Sequence, residues 1–404
     1  MPPYSNFVRM LFVLPALVLF VPTQAASAVP DRDTVFHDDF ESGWGSWWAD
    51  NGIWDVGEPI VGPPGAHSGQ WCAGTILDGN YPDHANTRLI SSYITLPTVS
   101  GDERIKLKFW QWFNIENGND QGVVQISVSP GVWETISSPE FDGGGVVWTQ
   151  YAADLSDYAG ETIRLGFYFS SDFSIGYHGW YIDDVSIEVG PPDFPNPEAF
   201  ELGVGDWCAD NGLWEVGEPT AGPPSAHSGE NCAGTVLGGG YANHANTRLI
   251  SPEITLTPAP GQFPMLFFYQ WFTIESGYDN GWIQLSVNDG AWETIAGPIT
   301  GTNASWSQYG CDLSAYSDAS VRVAFLFTSD FSVAYSGWYI DDIRIEGIVA
   351  PCVGDLNGDG VVNVTDLLAL LGNWGNAGTG DLNDDGTVNV MDLLELLGAW
   401  GACP

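Results

Sequence analysis

FESGWGSWWADNGIWDVGEP at 40–59 returns as FELGVGDWCADNGLWEVGEP at 200–219, an offset of 160 (200 − 40). The correspondence continues along the whole of each copy. HANTRLIS at 84–91 recurs at 244–251, FWQWFNIENGND at 109–120 as FYQWFTIESGYD at 268–279, and GWYIDDVSIE at 179–188 as GWYIDDIRIE at 337–346. The offset drifts only to 158 (337 − 179), so the copies differ by small loop changes. A duplication of this length makes each copy a folding unit of about 150 residues, not one turn of a solenoid.

Within each copy the local pattern is β. Ile163, Leu165, Phe167 and Phe169 alternate with Arg164, Gly166, Tyr168 and Ser170, and Val321, Val323, Phe325 and Phe327 repeat the alternation. Ile126 and Val128 alternate with Gln125, Ser127 and Ser129. A period of two means strands with one buried face. Gly, Pro, Asn and Asp clusters separate the runs, and no long helical period precedes Asp366. Many short antiparallel strands in such a unit predict a two-sheet sandwich of jelly-roll type. The predicted division is a signal peptide over 1–28, β-sandwiches over 29–190 and 199–348, a Pro-rich linker over 191–198 within GPPDFPNPE, and a small all-α unit over 349–404.

The last fifty residues carry the most specific chemistry. Asp355, Asn357, Asp359, Val361, Asn363 and Asp366 stand at positions 1, 3, 5, 7, 9 and 12 of a loop, with Gly360 at 6. Asp381, Asn383, Asp385, Thr387, Asn389 and Asp392, with Gly386, repeat the spacing 26 residues later (381 − 355). Oxygen donors at these positions wrap a calcium ion, and glycine at 6 permits the sharp turn. Without a cation the clustered carboxylates repel, at about 1 kcal/mol per pair even in water at ~4 Å.

The segments GDLNGDGVVNVTDLLALLGNWG and GDLNDDGTVNVMDLLELLGAWG resemble the dockerin module, an EF-hand-like fold of type I character. As in that family, Asp replaces Glu at position 12 and each loop has only a following helix. The resemblance covers about the last eighth of the chain. It implies two calcium ions and docking onto a cohesin module of another protein, with loop positions 10 and 11 (Val364, Thr365, Val390, Met391) in the recognition surface.

In the sandwiches, strict alternation with Val185 and Ile187 would turn Asp183 inward, where a lone carboxylate is costly. Asp341 and Asp342 are the twins of Asp183 and Asp184. The opening Phe-Glu and closing W-Y-I-D-D of each copy resemble the MAM-like modules of immune inhibitor A peptidases and, more loosely, carbohydrate-binding jelly rolls. That resemblance implies a structural calcium between Glu41 and Asp183 or Asp184, and a second between Glu201 and Asp341 or Asp342. A bulge that turns the Asp outward, or a bond to backbone, is the alternative.

Met10 to Val21 is apolar, Arg9 precedes it and Ala26-Ser27-Ala28 follows, which reads as a cleavable export signal and not a membrane span. The 51 acidic against 10 basic residues, a net charge of −41, exclude nucleic acid and anionic membranes as partners. Six cysteines in an exported chain are expected to pair. Cys352 and Cys403 bracket the calcium unit, and a bridge there contributes roughly 4 kcal/mol by loop entropy. Cys208 and Cys311, both confined to copy two, suggest a second bridge. Cys72 and Cys232 stand either as buried thiols or as an inter-copy pair.

Catalytic motifs are missing from the sequence: there is no H-E-x-x-H, no G-x-S-x-G and no phosphate loop. Glu116 with Glu275, or Glu134 with Glu293, could mimic a glycosidase pair, which needs a fixed separation of ~5–9.5 Å. Tryptophans that recur in both copies (Trp47, Trp54, Trp112, Trp133, Trp148, Trp180 and their counterparts) are expected to pack. Trp44, Trp71 and Trp282, each unmatched by a Trp in the other copy, are the surface candidates for stacking on sugar. The expected protein is exported and non-catalytic, binds a polysaccharide or cell-surface ligand through its sandwiches, and docks by a calcium-shaped tail. The rivals are a glycoside hydrolase carrying a dockerin and a calcium-stabilised adhesion or envelope protein.

Overall fold

The computed structural model describes residues 32–137, 141–145, 147–349 and 352–403. The expected signal peptide lies outside the described residues. In the first unit the strands are β1 (Asp33–Asp38), β2 (Trp48–Ala49), β3 (Asp55–Gly57), β4 (Cys72–Gly74), β5 (Asn86–Ile90), β6 (Ile94–Thr95), β7 (Arg104–Asn114), β8 (Gln121–Ser127), β9 (Glu134–Thr135), β10 (Thr149–Asp154), β11 (Thr162–Ser170) and β12 (Gly179–Gly190). One sheet runs β10-β7-β12-β4-β3, with β1 also on β12; the other runs β2-β5-β11-β8-β9, with β6 on β11. All pairs are antiparallel.

The second unit repeats the plan with β13 (Cys208–Ala209), β14 (Glu215–Gly217), β15 (Cys232–Gly234), β16 (Asn246–Ile250), β17 (Ile254–Thr255), β18 (Gln262–Ile274), β19 (Asn280–Val287), β20 (Glu293–Ile299), β21 (Gly301–Asp312), β22 (Ser320–Thr328) and β23 (Gly337–Val349). Its sheets run β13-β16-β22-β19-β20 and β14-β15-β23-β18-β21.

Period-two patterning explains the cores. Ile105, Leu107, Phe109 and Phe113 of β7 meet Ile163, Leu165, Phe167 and Phe169 of β11 between the sheets. Trp180 lies at the centre, fully buried, its indole N–H donated to Gln111 Oε1 at 3.0 Å; Trp338 and Gln270 repeat the pair at 3.0 Å. Aromatic edges and faces meet around each Trp, which adds to the area term. Val128 departs from the predicted alternation. The strand ends at Ser127, and Val128 is 40% exposed where the chain turns.

The predicted linker is not a free spacer. Glu198 and Ile343 exchange backbone hydrogen bonds at 2.7 and 2.8 Å, and the Asn196 side chain bonds both backbone groups of Ile345. Phe194 packs on the second core. Residues 194–198 thus take the place along β23 that β1 takes along β12.

The C-terminal unit is not all-α: it holds β24 (Val361–Val362), α1 (Val364–Gly372), α2 (Val390–Gly398) and β25 (Gly401–Ala402), and β24 pairs with β25 to tie the first loop to the chain's end. Its small core is Val362, Leu370, Val388 and Leu396, and Cys352–Cys403 closes it at a Cα separation of 5.3 Å. Cys208 and Cys311 are not bridged. They lie on strands of opposite sheets: Cys311 packs in the second core, and Cys208 faces the first unit. Cys72 and Cys232 are buried free thiols, each on the outer side of its sheet with Tyr181 or Tyr339.

Candidate functional site

Each C-terminal loop is shaped by its own carboxylates. Asp355 Oδ1 accepts from the amides of Gly358 (2.8 Å) and Asp359 (3.2 Å), and Oδ2 from Gly360 (2.8 Å). Asp381 does the same toward Asp385 (3.1 Å) and Gly386 (2.8 Å). Gly360 and Gly386 have φ of 82° and 91°, a region that only glycine enters without strain. At position 12, Asp366 accepts from Leu356, Asn357 and Asn363, and Asp392 from Leu382, Asn383 and Asn389. Asn363 and Asn389 cap α1 and α2, in capping boxes closed by those Asp residues. The amide of Asn363, foremost, and those of Leu356 and Asn357 hold the Asp366 carboxyl below its ordinary range. Burial works against the charge of Asp392, but the amides of Asn389, Leu382 and Asn383 outweigh it and lower that carboxyl too. The donors at positions 1, 3, 5, 9 and 12 are all oxygens, the ligand type that calcium takes, but among the described residues the Asp carboxylates of neither loop come together as a group of three. The nearby group of Cys352, Asp355 and Cys403 does not make a thiolate site, since both sulfurs are in the disulfide.

Beside the loops the helices turn apolar side chains to solvent. Val364, Leu368 and Leu371 are exposed on α1 and Val390, Leu394 and Leu397 on α2, and Trp374 and Trp400 are exposed two residues past the helix ends, 26 positions apart throughout. Leu368 is 62% and Leu394 58% exposed. Thr365 and Met391 are exposed on the same turns as Val364 and Val390.

In the sandwiches the structure turns Asp183 the other way from the expectation. The register of β12 against β7 shifts between Asp183 and Ser186, and Asp184 takes φ of +46°. Trp180 and Ile182 face the core before this bulge, Val185 and Ile187 after it, so Asp183 points to the outer side of the sheet. It is nevertheless fully buried, because residues 65–71 fold over it. Its Oδ2 accepts from the amides of His67 (2.9 Å) and Ser68 (3.2 Å), and its Oδ1 from Asp184 N (2.8 Å). Burial, and then the charge of Asp184, push the Asp183 carboxyl up to about 7. Asp184 bonds His67 Nδ1 (2.6 Å) and Ser68 Oγ (2.8 Å); burial opposes its charge, but these bonds hold it below the usual range. Glu41 Oε1 takes the amides of Gln70 (2.7 Å) and Trp71 (2.6 Å). Glu41 and the Asp pair thus grip one loop from two sides. Among the described residues, Glu41 joins neither Asp in a cluster of three or more ligand groups.

The second copy repeats every contact. Asp341 is bonded by His227 and Ser228, Asp342 Oδ2 lies 2.5 Å from His227 Nδ1, and Glu201 takes Glu230 and Asn231. Burial pushes Asp341 up to about 7. The His67 ring lies flat on Trp110 at 3.7 Å and His227 on Tyr269 at 3.4 Å, so both histidines have structural work in these loops.

A second acidic group stands in each sandwich, and the sequence did not show its members coming together. Glu116, Asp120 and Asp172 bring ligand atoms within 4.8 Å of one another, as do Glu275, Asp279 and Asp330. Asp120 is buried, accepting from Tyr81 Oη (2.6 Å) and from Asp172 N (2.7 Å). Tyr241 and Asp330 N serve Asp279 at the same distances. Asp120 and Asp279 are therefore held at the root of each loop by hydrogen bonds. The signal for their partners was the SDFS that recurs at 171–174 and 329–332. Glu116 and Glu275 belong to separate units and do not face each other as an acid–base pair, while Glu134 and Glu293 lie exposed on hairpin strands.

Between the sandwiches lies a cleft of about 940 Å³, lined by Arg104, Lys106, Glu253, Asp289, Trp292 and Arg322 among others. Its cations are paired: Arg104 with Glu253 (3.1 Å), Lys106 with Asp154 (2.8 Å) and Arg322 with Asp289 (2.6 Å). Most of the recurring tryptophans pack as expected; Trp133, Trp148, Trp292 and Trp306 are half-buried. Trp44 and Trp282 are also half-buried, and Trp71 is exposed. No helix among the described residues is long and apolar enough to cross a membrane.

No protein-family model matches the chain. Among curated proteins it is similar to Bacillopeptidase F of Bacillus subtilis (strain 168), 35% identical over 224 residues, which are 54% of this chain and 15% of that protein. It is also similar to Pre-pro-metalloprotease PrtV of Vibrio cholerae serotype O1 (strain M66-2), 31% identical over 101 residues, 23% of this chain and 11% of that one. The chain therefore spans only a small part of either relative. Among solved structures, the CBM22-1–CBM22-2 tandem of Paenibacillus barcinonensis Xyn10C aligns over 80% of this chain and all of its own at 15% identity and a TM-score of 0.25. The K1 cleaved adhesin domain of Lys-gingipain from Porphyromonas gingivalis W83 aligns over 39% of this chain and 98% of its own at 22% identity and a TM-score of 0.27. Overlaps this loose carry neither a fold nor a ligand across.

Proposed function

We propose that the chain is an exported, non-catalytic binding protein. Its two sandwiches hold a polysaccharide or cell-surface glycan, and its C-terminal unit, shaped by two calcium ions, docks onto a cohesin-type module of another protein. The observation that carries this reading is the repeated apolar face of α1 and α2. Nine-residue helices on a core of four fully buried side chains can spare little apolar surface, yet each turns one Val and two Leu to water at matching positions, with an exposed Trp just past its end. Such a face suits a helix-to-surface contact with a partner. The oxygen-rich loops that precede the helices supply a reason for calcium, which would set the helix starts and so the face. In each sandwich, calcium beside Glu41 and Asp183 or Asp184, and beside Glu201 and Asp341 or Asp342, remains part of the proposal.

The test is capture of cohesin-type modules by the full chain, in calcium and in EDTA. Retention in calcium only, abolished by Leu368→Ser with Leu394→Ser, is expected. Retention that ignores EDTA, or no retention by any cohesin type, overturns the docking reading. The glycoside hydrolase alternative predicts turnover of a polysaccharide that Glu116→Gln or Glu275→Gln abolishes. The names of the curated relatives favour one further reading, in which the sandwiches are accessory modules that serve a peptidase.

A further inference from the structure

In both sandwiches the connection from the strand pairing β5 or β16 back to the closing strand carries large apolar side chains into water. In residues 171–178, Phe173 is 73% exposed, with Ile175 and Tyr177 beside it; in 329–336, Phe331 is 74% exposed, with Val333 and Tyr335. These loops are not slack. Asp172 N is bonded to Asp120, Ser174 N and Oγ to Asp172 Oδ1, Asn80 Nδ2 to Gly176 O at 2.7 Å, and Tyr81 N to Tyr177 O at 2.9 Å. The second copy repeats the pinning through Asp330, Ser332 and Tyr241 N on Tyr335 O. A backbone fixed this firmly holds its apolar side chains outward in advance of any contact, so a ligand pays little ordering entropy there.

The copies have drifted where they meet each other: Arg104, Lys106 and Lys108 at the seam stand at the positions of Phe263, Met265 and Phe267 in the aligned strand. At the loop tips they keep the same character: Phe with Phe, Ile with Val, Tyr with Tyr. We propose that loops 171–178 and 329–336 are twin attachment sites for an uncharged polysaccharide, with Phe173, Tyr177, Phe331 and Tyr335 as the contacting rings. Charge selects this occupant. Glu116 and Asp172 at the root of one loop, Glu275 and Asp330 at the other, and a net charge of −41 repel phosphate, uronate and anionic lipid. The same carboxylates accept hydrogen bonds from sugar hydroxyls, while the rings cover the C–H faces. The site rests on the glycan reading above and names where it operates.

The test uses the full chain against insoluble and soluble neutral glycans, with phosphatidylcholine vesicles in parallel. The variants are Phe173→Ser with Tyr177→Ser, Phe331→Ser with Tyr335→Ser, and all four together. Expected is retention of the wild type on a neutral glycan, weakened roughly tenfold or more by the fourfold change and less by each pair, with the melting temperature unchanged. The pairs decide the matter where the fourfold variant does not fold. Equal retention of wild type and variants overturns the site and leaves the glycan reading standing; no retention of the wild type on any neutral glycan overturns both. Vesicle binding that the variants lose makes the occupant lipid and overturns the proposal.

Discussion

Lys108 Nζ, on the first sandwich, lies 2.8 Å from Asp206 Oδ1 on the second, and 3.0 Å from Glu188 Oε2 of its own sheet. Arg32 closes on the same Asp206, and Gln150 donates to the carbonyls of Gly205 (3.1 Å) and Trp207 (3.0 Å). In a chain with ten basic residues, five (Arg32, Arg104, Lys106, Lys108 and Arg322) line this seam and its cleft. Lys108→Met removes one partner from the buried Asp206 and leaves Arg32, so the loss is about 1–3 kcal/mol, below the 3–5 typical of a fully orphaned charge. Calorimetry would register this as a lower melting temperature for the tandem. An unchanged melt would mean the seam is open in solution.

Glu198 is buried at the start of the second sandwich, accepting from Phe200 N (2.8 Å) and Trp207 Nε1 (3.1 Å), as Asp38 accepts from Phe40 N and Trp47 Nε1 in the first. Burial raises its carboxyl to about 7 from 4.5. A raised folded value means the contribution to stability is full below the unfolded value and is lost as pH climbs through the folded one. Between about pH 4.5 and 7 the term falls by up to roughly 3 kcal/mol. In denaturant titrations, Glu198→Gln should flatten the slope of stability over that window, and an unaltered slope would refute the burial argument.

How much of this was legible beforehand depended on the range of the interaction. Strand faces such as Ile163 to Phe169 follow from local alternation, and the twin acidic turns, each capping a short helix, from spacing along one short segment. Strict alternation turns Asp183 inward, but a single bulge at Asp184 reverses the pleat and backbone amides hold the carboxylate, which is the alternative that the sequence left open. The Glu116, Asp120 and Asp172 group joins the β7–β8 turn to the end of β11, a proximity that only the sheet pairing creates. Cys208 and Cys311 looked like a pair because both are peculiar to copy two, but shared occurrence says nothing about which sheet each occupies.

The disulfide and the cation act on the same unit and can be separated. The Cys352–Cys403 bond closes a loop with a sequence separation of 51, so Cys352→Ser with Cys403→Ser should cost roughly 4 kcal/mol. Calcium at a hundred times its dissociation constant would return about 2.7 kcal/mol per site. Circular dichroism of the double Ser variant is expected to lose its helical signal in EDTA and regain it in calcium, while the intact chain loses only part of it. A helical signal indifferent to EDTA in both would remove the case for metal in the loops.

Gly69 and Gly229 test the grip of the outer carboxylates. A Cβ on Gly69 would sit 2.4 Å from the Glu41 carboxyl, and one on Gly229 2.3 Å from that of Glu201; both glycines have positive φ, at 59° and 57°. Gly69→Ala therefore combines backbone strain with displacement of Glu41 from the amides of Gln70 and Trp71, a cost of about 1–3 kcal/mol. Hydrogen exchange should quicken at those amides and at His67 and Ser68, which cover Asp183, while the core strands β7 and β11 stay protected. Glu41→Gln keeps an acceptor for the amides but removes a charge, so it should leave exchange slow. If it also lowers the melting temperature in calcium and not in EDTA, the carboxylate is a ligand as well as a clamp; equal melts in both would confine Glu41 to holding the loop.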